Sequence, residues 1–215
     1  MRQKKPDVYE YCDKAIRAMN RYNVREFGQF KATKPKDANV LRMVMELYRR
    51  SAKFARKRYY DEASEVFLLF LLLCEIDRME AEKMVKETIT MEWVDERLTE
   101  TDVVTLYRFD SETERKAQRL AEALSGTKNR DAEIDKALRI WSKQLGQYAI
   151  NFTDEAMKAA FKAAGVNIVE WVTQRDGRVC EECAALNGLM FPADDVPPKV
   201  HWNCRCYLRA VLQGK

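Results

Sequence analysis

The chain has 215 residues, 47% hydrophobic and 33% charged, with seven glycines and five prolines, enough to bury a core of one or two domains without disulfides. That composition describes a helix-rich globular protein and excludes a linker, a fibre or a low-complexity tail. The formal charge of +4 hides a polarity: residues 1–60 carry seventeen Lys and Arg against six acids, residues 61–164 fifteen against twenty-two, and residues 165–215 six of each. A balance of +11 over the first sixty residues favours an anionic partner for that part of the chain.

No proline occurs from Lys36 to Phe191, so over this span the chain lacks the strongest helix breaker. The first twenty residues are charged and lack the apolar core of a signal peptide, from which a cytosolic origin is expected. Residues 7–22 predict a short opening helix, and GQFKATKPKDAN (residues 28–39) has the content of a loop, with Asp37 or Asn39 as cap of the next helix. From Val40 to about Tyr60 the spacing is helical, with Val40, Met43, Val44, Leu47, Tyr48 and Phe54 on one broad face. Opposite them Arg49, Arg50, Lys53, Arg56 and Lys57 fall within an arc of about 120°. This basic stripe is read either as a solvated helix face or as a contact for phosphates, as in non-specific DNA binding, or for an acidic protein surface.

Helical pattern resumes from Asp61 to Leu98 with a break near Glu75 to Asp77. It includes VFLLFLLLC (66–74), which at nine residues falls far short of the ~20 needed to span a bilayer and reads as a core helix or a partner-facing one. Acids at 80, 82, 87, 92 and 96 interleave with Lys83, Lys86 and Arg97 as an exposed face with spaced ion pairs rather than catalytic groups. VVTLYRFD (103–110) reads as extended, and Ser111 with Glu114 as a capping box for a helix that Ser125-Gly126 ends. Further helices are expected over 131–148 and from Thr153-Asp154 to Ala164, the latter closed by Gly165 at C′. Then VNIVEWVT (166–173) and Tyr207 to Leu212 read as two strands that bracket a cysteine-rich segment and can pair. The fold class is therefore mainly α: an elongated helical body over 1–150 and a small α+β C-terminal module over 151–215.

Four of the six cysteines, Cys180, Cys183, Cys204 and Cys206, share that segment with the one histidine, His201. C-x2-C, seventeen residues, then H-x2-C-x-C places a chelating pair on each side of one loop, as a tetrahedral zinc site requires. The expected ligands of a structural zinc are Cys180, Cys183, His201 and Cys204, with Cys206 as the alternative fourth. A disulfide across the loop and free buried thiols remain the other readings. A redox C-x2-C lacks its βαβ setting, and a zinc deaminase would need a Glu two residues after the His; neither is present. Val179, Leu186, Leu189, Met190, Phe191 and Val200 are candidates for a small apolar cluster around the loop, and Arg205 for a clamp onto Asp176. No carboxylate pair stands at a catalytic spacing, so no enzyme is expected.

GVNIVEWVTQRDGRVCEECAALNGLMF with PPKVHWNCRC resembles the C-terminal signature of the MuF-type minor head proteins, the phage head-morphogenesis family of tailed bacteriophages. The positions that carry the resemblance are Trp171, Thr173, Asp176, Arg178, Val179, Cys180, Cys183, Leu186, Gly188, Pro197, Pro198, His201, Cys204, Arg205 and Cys206. It covers roughly residues 150–211. The resemblance implies a non-enzymatic minor structural protein of the virion, made in few copies, associated with the portal vertex and needed for head assembly or DNA ejection. Its implied partners are the portal or major capsid protein, with packaged DNA for the basic third, and it would be assembled in the host cytoplasm. The competing reading is a zinc-stabilised nucleic-acid-binding module acting outside the virion, whose surroundings would be basic where residues 165–215 are neutral.

Overall fold

The computed structural model describes residues 8–35, 37–99, 108–173, 179–199 and 201–212. These form helices α1 (Glu10–Thr33), α2 (Asp37–Leu73), α3 (Arg78–Thr88), α4 (Met91–Thr99), α5 (Phe109–Gly126), α6 (Arg130–Ala163) and α7 (Glu181–Leu186). Three strands, β1 (Ile168–Val172), β2 (Met190–Pro192) and β3 (Tyr207–Ala210), make an antiparallel sheet of order β2-β1-β3. The fold is mainly α with a small C-terminal sheet, as the sequence predicts.

The helices are fewer and longer than their punctuation suggests. α1 runs through Gly28 to Thr33, where a loop was expected, because Phe27 and Phe30 continue its buried face and outweigh the ~1 kcal/mol that one glycine costs a helix. α2 passes Tyr60 without a break and carries Val66, Phe67, Phe70 and Leu71 into the core, while Leu73 stays 43% exposed. α6 likewise spans the interval expected to separate two helices. Thr153 caps nothing; its hydroxyl donates to Glu62 Oε1 at 2.7 Å inside the protein. α5 begins two residues before Ser111 with no side-chain cap on Arg108, since Phe109 is fully buried and anchors the first turn. The extended stretch expected over 103–110 lies mostly outside the described residues, and its last two, Phe109 and Asp110, are helical.

Two helix ends follow one device. At Gly165 (φ 67°) the Val166 N–H bonds the Phe161 carbonyl and the Gly165 N–H that of Lys162, a Schellman closure. At Glu75 (φ 63°) the same pair of bonds runs from Ile76 to Leu71 and from Glu75 to Leu72, with a non-glycine residue in the left-handed position. Asp77 then caps α3, its Oδ1 accepting from Met79 N at 2.9 Å and Glu80 N at 3.4 Å.

The chain condenses into two compact units, each assembled from non-consecutive segments. One holds Lys14–Tyr60 and Met91–Tyr148. Its centre is aromatic: Trp141, Tyr48, Tyr59, Phe27 and Phe109 are buried, Phe109 meets Tyr148 edge-on at 5.0 Å, and Trp141 Nε1 donates to Ser51 Oγ at 2.7 Å. The other comprises the described parts of Met1–Asp13, Asp61–Thr90 and Ala149–Lys215. Here Val169 and Trp171 of β1 and Leu208 of β3 turn inward, with Glu170 paired to Arg209 and Trp171 to Leu208 across the strands. β3 lies beside α6, where the Leu208 N–H points at Met157 Sδ, 3.4 Å away.

Candidate metal centre

The C-x2-C half of the cluster sits on a helix start. Cys180 is the N-cap of α7, and its Sγ accepts from the Cys183 N–H at 3.3 Å, so the turn that separates the two residues also aims both thiols the same way. Cys183 is fully buried. From the far side of the loop His201 Nε2 approaches Cys183 Sγ to 3.5 Å, and Cys204 Sγ approaches it to 3.6 Å. His201 Nδ1 lies 2.8 Å from the Trp202 carbonyl, which can only accept; Nδ1 therefore carries the proton and Nε2 keeps its lone pair toward the thiols.

Two trios result, Cys180 with Cys183 and His201, and Cys183 with Cys204 and Cys206, the ligand atoms of each lying within 4.8 Å of one another. Cys183 belongs to both. Four ligands at the corners of a tetrahedron with metal–sulfur bonds of about 2.3 Å stand about 3.7 Å apart, and the His201–Cys183 and Cys204–Cys183 separations of 3.5 and 3.6 Å lie close to that edge. The donor set of thiols and one correctly oriented imidazole can hold a metal ion. All five residues expected as ligands are thus brought together, with Cys204 and Cys206 both buried and both next to Cys183.

The protons are unevenly distributed. The Cys206 thiol donates to Cys204, which lowers Cys204 to about 5 and raises Cys206 itself. Burial pushes Cys183 up to about 12, whereas the Cys183 backbone N–H lowers Cys180. His201 is raised, chiefly by its bond to the Trp202 carbonyl.

The resemblance positions outside the thiols have local reasons. Trp171 is buried, Thr173 gives both its N–H and its hydroxyl to Asn187 Oδ1 at 2.9 Å, and Gly188 turns at φ 84° where its N–H meets the Trp171 carbonyl. Asp176 and Arg178 lie outside the described residues. Arg205 forks onto both carboxylate oxygens of Asp13 in α1, and the clamp onto Asp176 expected of it falls outside the described residues. Of the apolar residues expected around the loop, Leu189 and Met190 are 48% and 63% exposed, Val179, Leu186 and Phe191 are half-buried, and Val200 lies outside the described residues. So small a loop cannot enclose its own apolar side chains, and the three buried cysteines take their place.

A polar cluster beside the thiols was not visible in the spacing. Lys199 Nζ donates to Asp154 Oδ1 at 2.7 Å, to the Tyr9 hydroxyl at 2.5 Å and to the Cys204 carbonyl at 3.1 Å, and Tyr9 donates to the Cys206 carbonyl at 3.0 Å. Burial raises Asp154 to about 6 against the pull of Lys199, and raises the neighbouring Glu62 well above the glutamate range. These residues come from four distant stretches of chain, so no local pattern could reveal them.

The basic stripe lies in the other unit. Arg49, Arg50, Lys53 and Lys57 are exposed on α2, but Arg56 is turned inward over the Phe109 ring at 5.3 Å and pairs with Asp95 at 3.2 Å and Asp110 at 2.7 Å. Arg50 pairs with buried Glu26 at 3.2 Å and with Glu46 at 3.6 Å. α1 runs alongside, with Tyr22 stacked on Phe54 at 4.1 Å and Asn23 accepting from Ser51 at 2.5 Å, and it exposes Arg17, Arg21 and Arg25.

No helix among the described residues is long and apolar enough to cross a membrane. No curated protein and no solved structure matches the chain. Residues 107–209, which contain α5, α6, β1, β2, all but the last residue of β3 and the whole Cys/His cluster, match the family described as Phage Mu protein F like protein, a match that supports a phage head-morphogenesis family of the MuF type.

Proposed function

We propose that the protein is a minor structural component of a tailed-phage head, without enzymatic activity, present in few copies at the portal vertex and in contact with the portal or major capsid protein. In this reading its C-terminal module is held by a structural zinc bound through Cys180, Cys183, His201 and Cys204, with Cys206 as the other fourth ligand. The observation that carries the reading is that the converging thiols and imidazole lie inside the family-matched segment. A loop with so few buried side chains of its own gains order from a metal, whose binding contributes ~10 kcal/mol or more to small zinc modules. The site reads as structural, since protein ligands fill every position.

The basic face is proposed to touch packaged DNA without base specificity. Among the described side chains of residues 14–60 only one acid, Glu46, is exposed, against exposed Arg17, Arg21, Arg25, Arg49, Arg50, Lys53 and Lys57. Arg56, already committed to two aspartates, supports the fold instead.

The deciding experiment is metal analysis of the purified full chain together with a thiol count. One zinc per chain and six titratable thiols in the denatured, chelated protein are expected, with chelation abolishing protection of the sheet against hydrogen exchange. Absent metal with two thiols fewer would replace zinc by a disulfide.

A further inference from the structure

We infer that Tyr9, Asp154 and Lys199, together with the Asp13–Arg205 ion pair, form an outer shell of the metal centre, so that residues 9–13, outside the family-matched segment, set how tightly the metal is held. The inference rests on the metal-binding reading and goes past it by naming who positions the ligands.

Cys204 and Cys206 lie on the stretch before β3, where no helix or strand fixes the backbone. A thiol there is placed only as well as its own main chain. The three consecutive residues are each held from outside the stretch: the Cys204 carbonyl by Lys199 at 3.1 Å, the Arg205 guanidinium by Asp13 of α1, and the Cys206 carbonyl by the Tyr9 hydroxyl at 3.0 Å. An ammonium has three N–H bonds, and Lys199 has three acceptors, Asp154, Tyr9 and Cys204; the tyrosine hydroxyl accepts from Lys199 and directs its proton at the Cys206 carbonyl at 3.0 Å, with Asp154 Oδ1 a longer second acceptor at 3.3 Å.

A fully buried tyrosine beside a buried aspartate paired to a half-buried lysine is a costly way to fill space, since well-packed apolar residues would stabilise such a site as well or better. Both main-chain acceptors of this cluster belong to the two candidate ligands on this side of the loop. Groups that orient ligands typically change metal affinity 10–100-fold when removed.

The test uses the full chain loaded with zinc and titrated with a competing chelator, beside the cobalt-substituted protein read by its absorption bands. Tyr9→Phe and Lys199→Met are each expected to weaken zinc binding about 10–100-fold and to shift the cobalt bands. Val66→Ala, a core truncation in the same unit, is expected to lower the melting temperature while leaving affinity and bands unchanged. Wild-type affinity in both shell variants overturns the inference, as does an equal loss in Val66→Ala, which marks the effect as general stability. Should Tyr9→Phe fail to fold, Lys199→Met decides alone. A wild-type chain that binds no zinc refutes the metal reading itself and this inference with it, a result distinct from zinc held equally well by every variant.

Discussion

Glu62 shows how much one buried carboxyl can matter. It accepts from Thr153 at 2.7 Å, with the Cys12 thiol beside it and no cation paired with it among the described residues; burial raises it first, the two hydrogen bonds oppose, and Asp154 and Asp13 raise it further. A group protonated in the folded protein but ionised when unfolded stabilises the fold fully at low pH and loses that contribution as pH rises from its ordinary 4.5 through its raised folded value. Asp154 acts in the same sense over the lower window, from 3.8 to about 6. Glu62→Gln keeps the acceptor for Thr153 and removes the titration. Urea unfolding should show the variant gaining on the wild type as pH rises above 4.5; parallel curves would mean that the carboxyl is already ionised in the fold.

At the scale of elements, the two Schellman closures make a matched pair. Glu75 occupies a left-handed position that costs an L-residue about 1 kcal/mol or more, whereas Gly165 occupies its equivalent without strain. Glu75→Gly should therefore raise stability by roughly 0.5–1 kcal/mol and Gly165→Ala lower it by about 1 kcal/mol, read as shifts in denaturant midpoint at constant slope. Space does not confound the second change, since a Cβ at Gly165 meets nothing within 4 Å. The same two turns mark what was legible in advance. Gly165 is readable because glycine after an apolar-periodic run has one common use; the break at Glu75 to Asp77 is readable from composition, though its left-handed glutamate is not. Helix junctions inferred at Tyr60 and at Thr153 dissolve because the apolar faces of α2 and α6 continue through them, and tertiary burial outweighs a local cap signal. β2 escapes sequence reading because a three-residue strand bearing exposed Met190 has no alternation to find.

For the whole molecule, the Cys/His pattern revealed which side chains gather but not what holds them, because Tyr9 and Asp13 reach the site from the opposite end of the sequence. The charge polarity was equally plain, yet only the fold separates cations spent on aspartates from those left outward. Arg49, Lys53 and Lys57 belong to the outward set. Reversing these three to Glu should weaken binding to a random-sequence duplex and reduce the slope of log affinity against log salt by about 0.9 for each lost phosphate contact. Fluorescence anisotropy over a salt series reads this directly. Unchanged slope, or no binding by the wild type at low salt, would move the partner of this face from DNA to an acidic protein. Arg56→Ala should instead act on stability, since it strips Asp95 and Asp110 of their cation and uncovers the Phe109 ring.

The sulfur of Met157 lies 3.4 Å from the Leu208 N–H. β3 is a terminal strand of its sheet, and an outer strand with free amides is a template on which another chain can build. Here the outward amide of the strand's best-buried residue is already given to a thioether supplied by α6. That amide is thereby withheld from a stray strand, and the guard is a methionine, which oxidation to the sulfoxide would turn from a soft apolar filler into a polar wedge at the same seam.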